Sequence, residues 1–156
     1  MGGPCGKIGT PPAVSVRRMF ASDASAALSI LRDSPEASVW SRESLLESVS
    51  GGVAWAADLD GRVVGILIGR VAADEFEILN LAVAIESRRR GVATQLVSAA
   101  LEYARTSGAR QAYLEVRVSN EGAIALYARL GFRICGQRPN YYRNPPEDAV
   151  LLALHV

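Results

Sequence analysis

Three groups of residues in this chain are of a type and spacing that can do chemistry. The first is Arg88-Arg89-Arg90-Gly91-Val92-Ala93-Thr94, which follows an apolar run and opens a helical pattern. A strand, a glycine-bearing loop and a helix start together make a place for phosphates. Gly91 lets the backbone approach a ligand closely, and the first helical N–H groups are unpaired. The arginines add positive charge there, although three consecutive side chains cannot all point at one ligand. The second group is Glu115, a carboxylate flanked by Leu114 and Val116, with Glu77 as its rival. A carboxylate so placed is suited to take a proton as a general base. The third is Tyr127, a phenol one and a half turns into the helix opened by Ser119-Asn120.

These groups need a scaffold, and the pattern along the chain supplies one. Val14 to Phe20 reads as a strand, and Ser22 caps a helix from Asp23 to Arg32. Ser41, after Trp40, opens a second helix that ends at Gly51-Gly52. Val53 to Leu59 and Arg62 to Val71 are strands joined by Asp60-Gly61, where both positions tolerate positive φ. Glu75 to Ala84 is a mostly apolar and therefore central strand. The helix after Gly91 carries Leu96, Val97, Ala100, Leu101 and Ala104 at spacings of three and four, and stops at Gly108. Gln111 to Val118 alternates, with Tyr113, Glu115 and Arg117 on one side. The helix after Asn120 ends at Gly131, and Phe132 to Gln137 is a strand. Arg138 to Asp148 reads as a polar, proline-bearing loop, and Ala149 to Val156 as the last strand. The order β-α-α-β-β-β-α-β-α-β-β places the chain in the α/β (α+β) class. It predicts a single mixed, mostly antiparallel sheet of about seven strands with about four helices.

The bulk numbers bound the function. A length of 156 residues fits one domain, 13–156, behind a loose tail, 1–12. A hydrophobic content of 49% is ample for a core, which argues against disorder. A net charge of +1 gives no support for a nucleic-acid partner. No apolar stretch approaches the roughly 18 residues needed to cross a bilayer, so no membrane is expected. The start MGGPCGKIGTPP lacks the apolar core of a secretory signal, and Gly6 stands where myristoylation wants Ser or Thr. Cys5 and Cys135 make no disulfide framework, which points to a cytoplasmic setting. Cys135 follows a buried pattern and reads as an inert small hydrophobe. His155 is the one histidine, and without a Cys/His cluster no metal is expected.

Arg88-Arg89-Arg90-Gly91-Val92-Ala93 resembles the Arg/Gln-x-x-Gly-x-Gly/Ala pyrophosphate loop of the GNAT superfamily of N-acetyltransferases. It is followed at the family's distance by Asn120-Glu121-Gly122-Ala123-Ile124-Ala125-Leu126-Tyr127 and Leu130-Gly131-Phe132. Within the family, Glu77 to Val83, Leu114 to Arg117 with Ser119-Asn120, and Asn140-Tyr141-Tyr142 resemble the RimI-like ribosomal-protein-alanine N-acetyltransferases. The resemblance covers Val14 to Leu154 and is strong from Asp74 onward. Three positions depart from it. Ala93 replaces the loop's last glycine, Ala84-Ile85 replaces a His/Asp-Pro pair, and Val39 replaces the proline before Trp40-Ser41.

The resemblance implies the GNAT fold, acetyl-CoA as cosubstrate, and direct attack of an amine on the thioester in a ternary complex. The acceptor it implies is a protein or peptide N-terminus, such as that of a small-subunit ribosomal protein. It implies that Leu81, Ala82, Val83, the loop Arg88 to Thr94, Asn120, Ala123 and Tyr127 contact the CoA, with the Val83 N–H at the thioester oxygen. It assigns Glu115 to take the amine's proton, directly or through water, and Tyr127 to return one to the departing thiolate. A free α-amino group has a pKa of about 7.7–8.0 against about 10.4 for lysine, so an N-terminus is easier to deprotonate by about 3 kcal/mol. Trp40, Glu77, Asn80, Tyr141 and Tyr142 would line the acceptor side.

Each residue has a second reading. Glu115 can instead pair with Arg117 or with an arginine of a neighbouring strand. Tyr127 can be a core tyrosine, Asn120 a helix cap, the arginines a solvated face, and Tyr141 and Tyr142 packing residues. Two other functions fit the same motifs. One is a GNAT transferase for a small amine such as a polyamine, amino acid or antibiotic. The other is a non-catalytic acetyl-CoA-binding module. A free edge at Ala149–Val156 would permit a weak homodimer in place of a monomer.

Overall fold

Strand β1 (Ser15–Arg18) leads through a 3-10 turn at Ala21–Asp23 into α1 (Ala24–Arg32). Asp23, not Ser22, organises this entry. Its carboxylate accepts from the Phe20 N–H at 2.7 Å and pairs with Arg17 at 2.7 Å. Helix α2 (Arg42–Ser50) starts at the expected cap, with the Ser44 N–H donating to Ser41 Oγ at 3.0 Å. Asp60 and Gly61 take φ of 52° and 74° and close a tight turn between β2 (Ala54–Leu59) and β3 (Arg62–Ala72). After them come β4 (Glu75–Val83), α3 (Val92–Thr106), β5 (Gln111–Arg117), α4 (Glu121–Arg129), β6 (Arg133–Arg143) and β7 (Pro146–His155). The computed structural model describes residues 13–156. The expected tail 1–12, with Met1-Gly2 and Cys5, lies outside the described residues.

The seven strands form one mixed sheet in the order β1-β2-β3-β4-β5-β7-β6. Every neighbouring pair is antiparallel except β4 and β5, which α3 connects as a crossover. Alternation along the strands divides the core between the two sheet faces. Trp55, Ala57, Leu67 and Phe76 pack with Leu96, Val97, Ala100 and Leu101 of α3. Ala54, Ala56, Ile66 and Ile68 pack with Ala27, Ile30 and Leu31 of α1 and Leu45 of α2.

Two glycines of β3 let these layers close. A Cβ on Gly65 would lie 2.8 Å from Val92 Cγ1, so glycine here sets how near α3 sits. A Cβ on Gly69 would lie 2.4 Å from the tip of the Phe76 ring. Phe76 is fully buried and has nowhere to retreat. Gly69→Ala is therefore expected to destabilise by about 2 kcal/mol, lowering Tm by roughly 4–8 °C in a melting experiment. An unchanged Tm would mean that the ring can move.

The segment Arg138 to Asp148 is not a loop. β6 and β7 form a long hairpin in which Arg138 pairs with Ala149, and Tyr142 with Glu147. The prolines are accommodated because Pro139 sits where the register of the outermost strand shifts, while Pro145 and Pro146 lie at the turn and at the first position of β7. Asp148 pins that bulge, accepting from the Asn140 N–H at 2.9 Å and the Gln137 amide at 3.0 Å. Two further expectations change. β7 lies between β5 and β6, so Ala149–Val156 offers no free edge. Cys135 is exposed, because it is the extra residue of a register shift on the outer strand.

Candidate active site

β4 and β5 pair only from Glu75–Gln111 to Ile78–Leu114. Beyond that point β4 carries a bulge, since Gly69 pairs with Ile78 while Ile68 pairs with Asn80. Leu79 is the extra residue. It turns Leu81 and Val83 to the sheet face that Ile78 occupies before it, and Ala82 to the other. The two strands then diverge around a cavity of about 500 Å³. Leu81, Ala82 and Val83 line it from one side, and Glu115, Val116 and Arg117 from the other. The Ala84 N–H donates to Val64 of β3 at 2.7 Å. By alternation the Val83 N–H points away from β3 and into this opening. The Leu81 N–H faces the same way and is taken by Asn80 Oδ1 at 3.0 Å.

The loop between β4 and α3 closes one end. A 3-10 turn at Ile85–Ser87 follows Ala84, and Arg88 Nε donates to the Val83 carbonyl at 3.3 Å. Gly91 is the helix N-cap with φ of 76°, and no side chain caps the helix. The first helical bond runs from the Gln95 N–H to Gly91 O, so the N–H groups of the first turn remain available. Arg88, Arg89, Gly91, Val92, Ala93 and Thr94 line the cavity. Arg90 does not. It is exposed and points elsewhere, as consecutive side chains must diverge. An unpaired N–H array, a glycine in the left-handed region and adjacent guanidinium groups are a donor set suited to a diphosphate.

α4 forms another wall. Asn120 caps it, its Oδ1 accepting from the Ala123 N–H at 3.2 Å, and Asn120 and Ala123 both line the cavity. Capping and lining are thus compatible. Tyr127 is 3% exposed and packs edge-to-face on Phe132 at 5.2 Å, yet it also borders the cavity. Burial pushes its phenol well above the usual tyrosine range, so it stays protonated at any working pH.

On the α2 side of the sheet a second opening of about 370 Å³ is lined by Trp40, Glu77, Tyr141 and Tyr142. Glu115, Leu79, Ile78, Ser38 and Tyr142 border both openings. Glu77 borders only the second, where Arg70 pairs with it and the Tyr113 hydroxyl donates to it at 3.4 Å. Asn80 borders only the first. Its amide holds Ser38 O at 3.4 Å, which ties the α1–α2 connection to β4. Tyr141 and Tyr142 stand on β6 with their rings at 5.0 Å and 89°. Glu115 pairs not with Arg117 but with Arg138, at 2.8 Å. Arg117 is committed to Glu147 at 3.2 Å and to the carbonyls of Asn144 and Pro145.

Several lining residues went unnoticed in the sequence. Gly122, Leu126 and Arg129 share a face of α4 with Ala123 and Tyr127, and the helical period counted from Asn120 would have found them. Ser87 and Leu79 had no signal, since a bulge and a 3-10 turn are not periodic. Arg138 lines neither opening but pairs with Glu115, and it has no signal either, since its segment reads as a loop. Among the described residues, no cluster of His, Cys, Asp or Glu is placed to hold a metal.

Known proteins resemble this chain in sequence and in fold. The acetyltransferase (GNAT) family pattern matches residues 17–132. Over 99 residues the chain is 38% identical to the ribosomal protein bS18-alanine N-acetyltransferase of Salmonella typhimurium, covering 62% of this chain and 67% of that one. The crystal structure of the ribosomal-protein-S18-alanine N-acetyltransferase from Escherichia coli superposes with a TM-score of 0.82 at 29% identity, over 92% of this chain and 94% of that one. Ard1 from Thermoplasma volcanium superposes with a TM-score of 0.85 at 28% identity, over 92% and 98%.

Proposed function

Because the chain belongs to the acetyltransferase (GNAT) family, we propose that it transfers the acetyl group of acetyl-CoA to the α-amino group of a protein N-terminus, of the ribosomal-protein-alanine type. It is an acyltransferase, an acetyl-CoA-dependent N-acetyltransferase. The acceptor is the proposed part, together with a cytoplasmic setting. The observation that carries it is the position of Glu115. This carboxylate borders both the cavity between β4 and β5 and the aromatic-lined opening beside α2, so a base there meets a donor from one side and an acceptor from the other.

The residues then divide the work. The first turn of α3, with Arg88 and Arg89, would hold the diphosphate. Acetyl-CoA supplies an acetyl thioester when bound. The Val83 N–H faces the cleft and would meet the thioester oxygen where charge develops. Glu115 would take the proton of the acceptor's ammonium, and the Tyr127 hydroxyl would supply one to the leaving sulfur. Trp40, Tyr141 and Tyr142 form an open wall suited to a peptide's first residues. No helix of the described residues is long and apolar enough to cross a membrane.

The test is CoA release with three acceptors: a peptide with a free N-terminal alanine, the same peptide N-blocked but carrying a lysine, and spermine. Release with the free terminus alone is the expected result. Release with spermine alone would replace a protein acceptor by a small amine.

Tyr127→Phe is expected to slow turnover by about tenfold near pH 7. The effect is modest because a thiol of pKa about 8.5 leaves almost unaided near that pH. The deficit should shrink as pH rises past about 8.5, with acetyl-CoA affinity kept. Wild-type turnover at pH 7 would return Tyr127 to a packing role.

A further inference from the structure

The Glu115 side chain is only 10% exposed, while its partner Arg138 is 57% exposed. A carboxylate so withdrawn from water cannot be left without a partner. The arginine, mostly in solvent, can leave at little cost. The pair is therefore one-sided, unlike Arg117–Glu147, where both side chains are withdrawn and Arg117 is also fixed to two carbonyls.

A bulge in the outer strand brings Arg138 to this place. The register of β6 against β7 jumps between Arg138 and Tyr142, Asn140 takes φ of 52°, and Asp148 holds the irregular segment. The bulge leans Arg138 and Tyr141 over the same carboxylate. The Glu115 carboxylate pushes the pKa of the Tyr141 phenol up to about 12, and the Arg138 guanidinium lies 5.9 Å from the Tyr141 ring centre. Tyr141 and Glu115 both line the opening beside α2, which is the route an acceptor must take.

We propose that Arg138 is a positioning residue that occupies the Glu115 carboxylate in the acceptor-free enzyme and yields it to the ammonium group of the incoming N-terminus. This rests on the N-terminal acetyltransferase reading. The exchange is one cation for another, so Glu115 is partnered at every stage and stays oriented toward the amine it deprotonates. An N-blocked peptide has no ammonium to offer and leaves the pair closed. The pair also sets a cost on acceptor binding, because the ammonium must compete with a tethered guanidinium.

The experiment measures steady-state KM for acetyl-CoA and for a peptide with a free N-terminal alanine in wild type, Arg138→Gln, Arg138→Lys and Arg133→Gln. Removing the competitor in Arg138→Gln should lower the acceptor KM by up to about fivefold, the equilibrium value of one half-exposed ion pair. The acetyl-CoA KM should not move. Arg138→Lys should restore the wild-type acceptor KM. Arg133→Gln removes an exposed charge from the same strand without touching Glu115, and should leave both constants unchanged. An acceptor KM in Arg138→Gln that is unchanged or raised would overturn the proposal while leaving the transferase reading intact. A wild-type enzyme that does not acetylate the peptide at all would overturn that reading, and the proposal with it.

Discussion

Glu115→Gln is expected to lower kcat by about 10²–10³ near pH 7, with the dissociation constant of acetyl-CoA unchanged. The amide keeps the shape of the side chain and its place between the two openings, but it cannot accept the amine's proton. The partner lost is Arg138, whose guanidinium is more than half in solvent, so the substitution costs the fold well under about 1 kcal/mol. The deficit should depend on pH in a defined direction. An α-amino group has a pKa of about 7.7–8.0, so below that range a base must remove a proton, and above it the amine arrives already neutral. The ratio of wild-type to variant turnover should therefore be largest near pH 6.5 and shrink by pH 9. Wild-type turnover across this range would remove Glu115 as the base. Glu77 would then be the carboxylate to test, although Arg70 and Tyr113 already occupy it and it borders only the opening beside α2.

The sheet and the loop were legible in the sequence because each rests on a local rule. Strand alternation gave the two faces, Asp60-Gly61 gave a hairpin, and Gly91 before a helical period gave the N–H array. What escaped depends on pairing between distant segments. The bulge at Leu79 is invisible in β4 alone, since nothing in Glu77-Ile78-Leu79-Asn80 marks an extra residue; it exists only relative to Ile68 and Gly69 of β3. Yet it decides where β4 leaves β5 and hence where the cavity lies. The same holds for Arg138. Pro139, Pro145 and Pro146 argue for a loop, and local composition cannot show that Pro139 falls at a register shift of the outermost strand and the other two at the turn and the start of β7. That composition hides both the hairpin wall and the partner of Glu115. Arg88, Arg89 and Arg90 looked equivalent in sequence, and only the backbone, with Arg89 at φ of 65° and Gly91 at 76°, separates those on the cavity from the one off it.

Gly91→Val should abolish most acetyl-CoA binding while leaving the fold intact. Space is not the obstacle, since a Cβ at Gly91 would meet no atom within 4 Å. The obstacle is φ of 76°, which a β-branched residue avoids at a cost of about 1–3 kcal/mol. Residues 88–91 are all exposed, so no packing around them would hold a valine in that conformation, and the backbone would relax toward negative φ instead. That rotation turns the peptide planes on either side and re-aims the N–H groups at the start of α3. Losing two charge-assisted bonds to the diphosphate, at about 1.5 kcal/mol each, raises the dissociation constant of acetyl-CoA by about 100-fold. Calorimetric titration of the variant would measure this directly, and a melting curve would show the core unaffected, because Val92, Leu96 and Val97 of α3 keep their contacts with the sheet. Glu115→Gln should bind acetyl-CoA normally and fail to turn over, whereas Gly91→Val should fail to bind and recover turnover at saturating acetyl-CoA. That opposite pattern separates the loop from the base. An unchanged affinity in Gly91→Val would mean that the diphosphate lies elsewhere than on the first turn of α3.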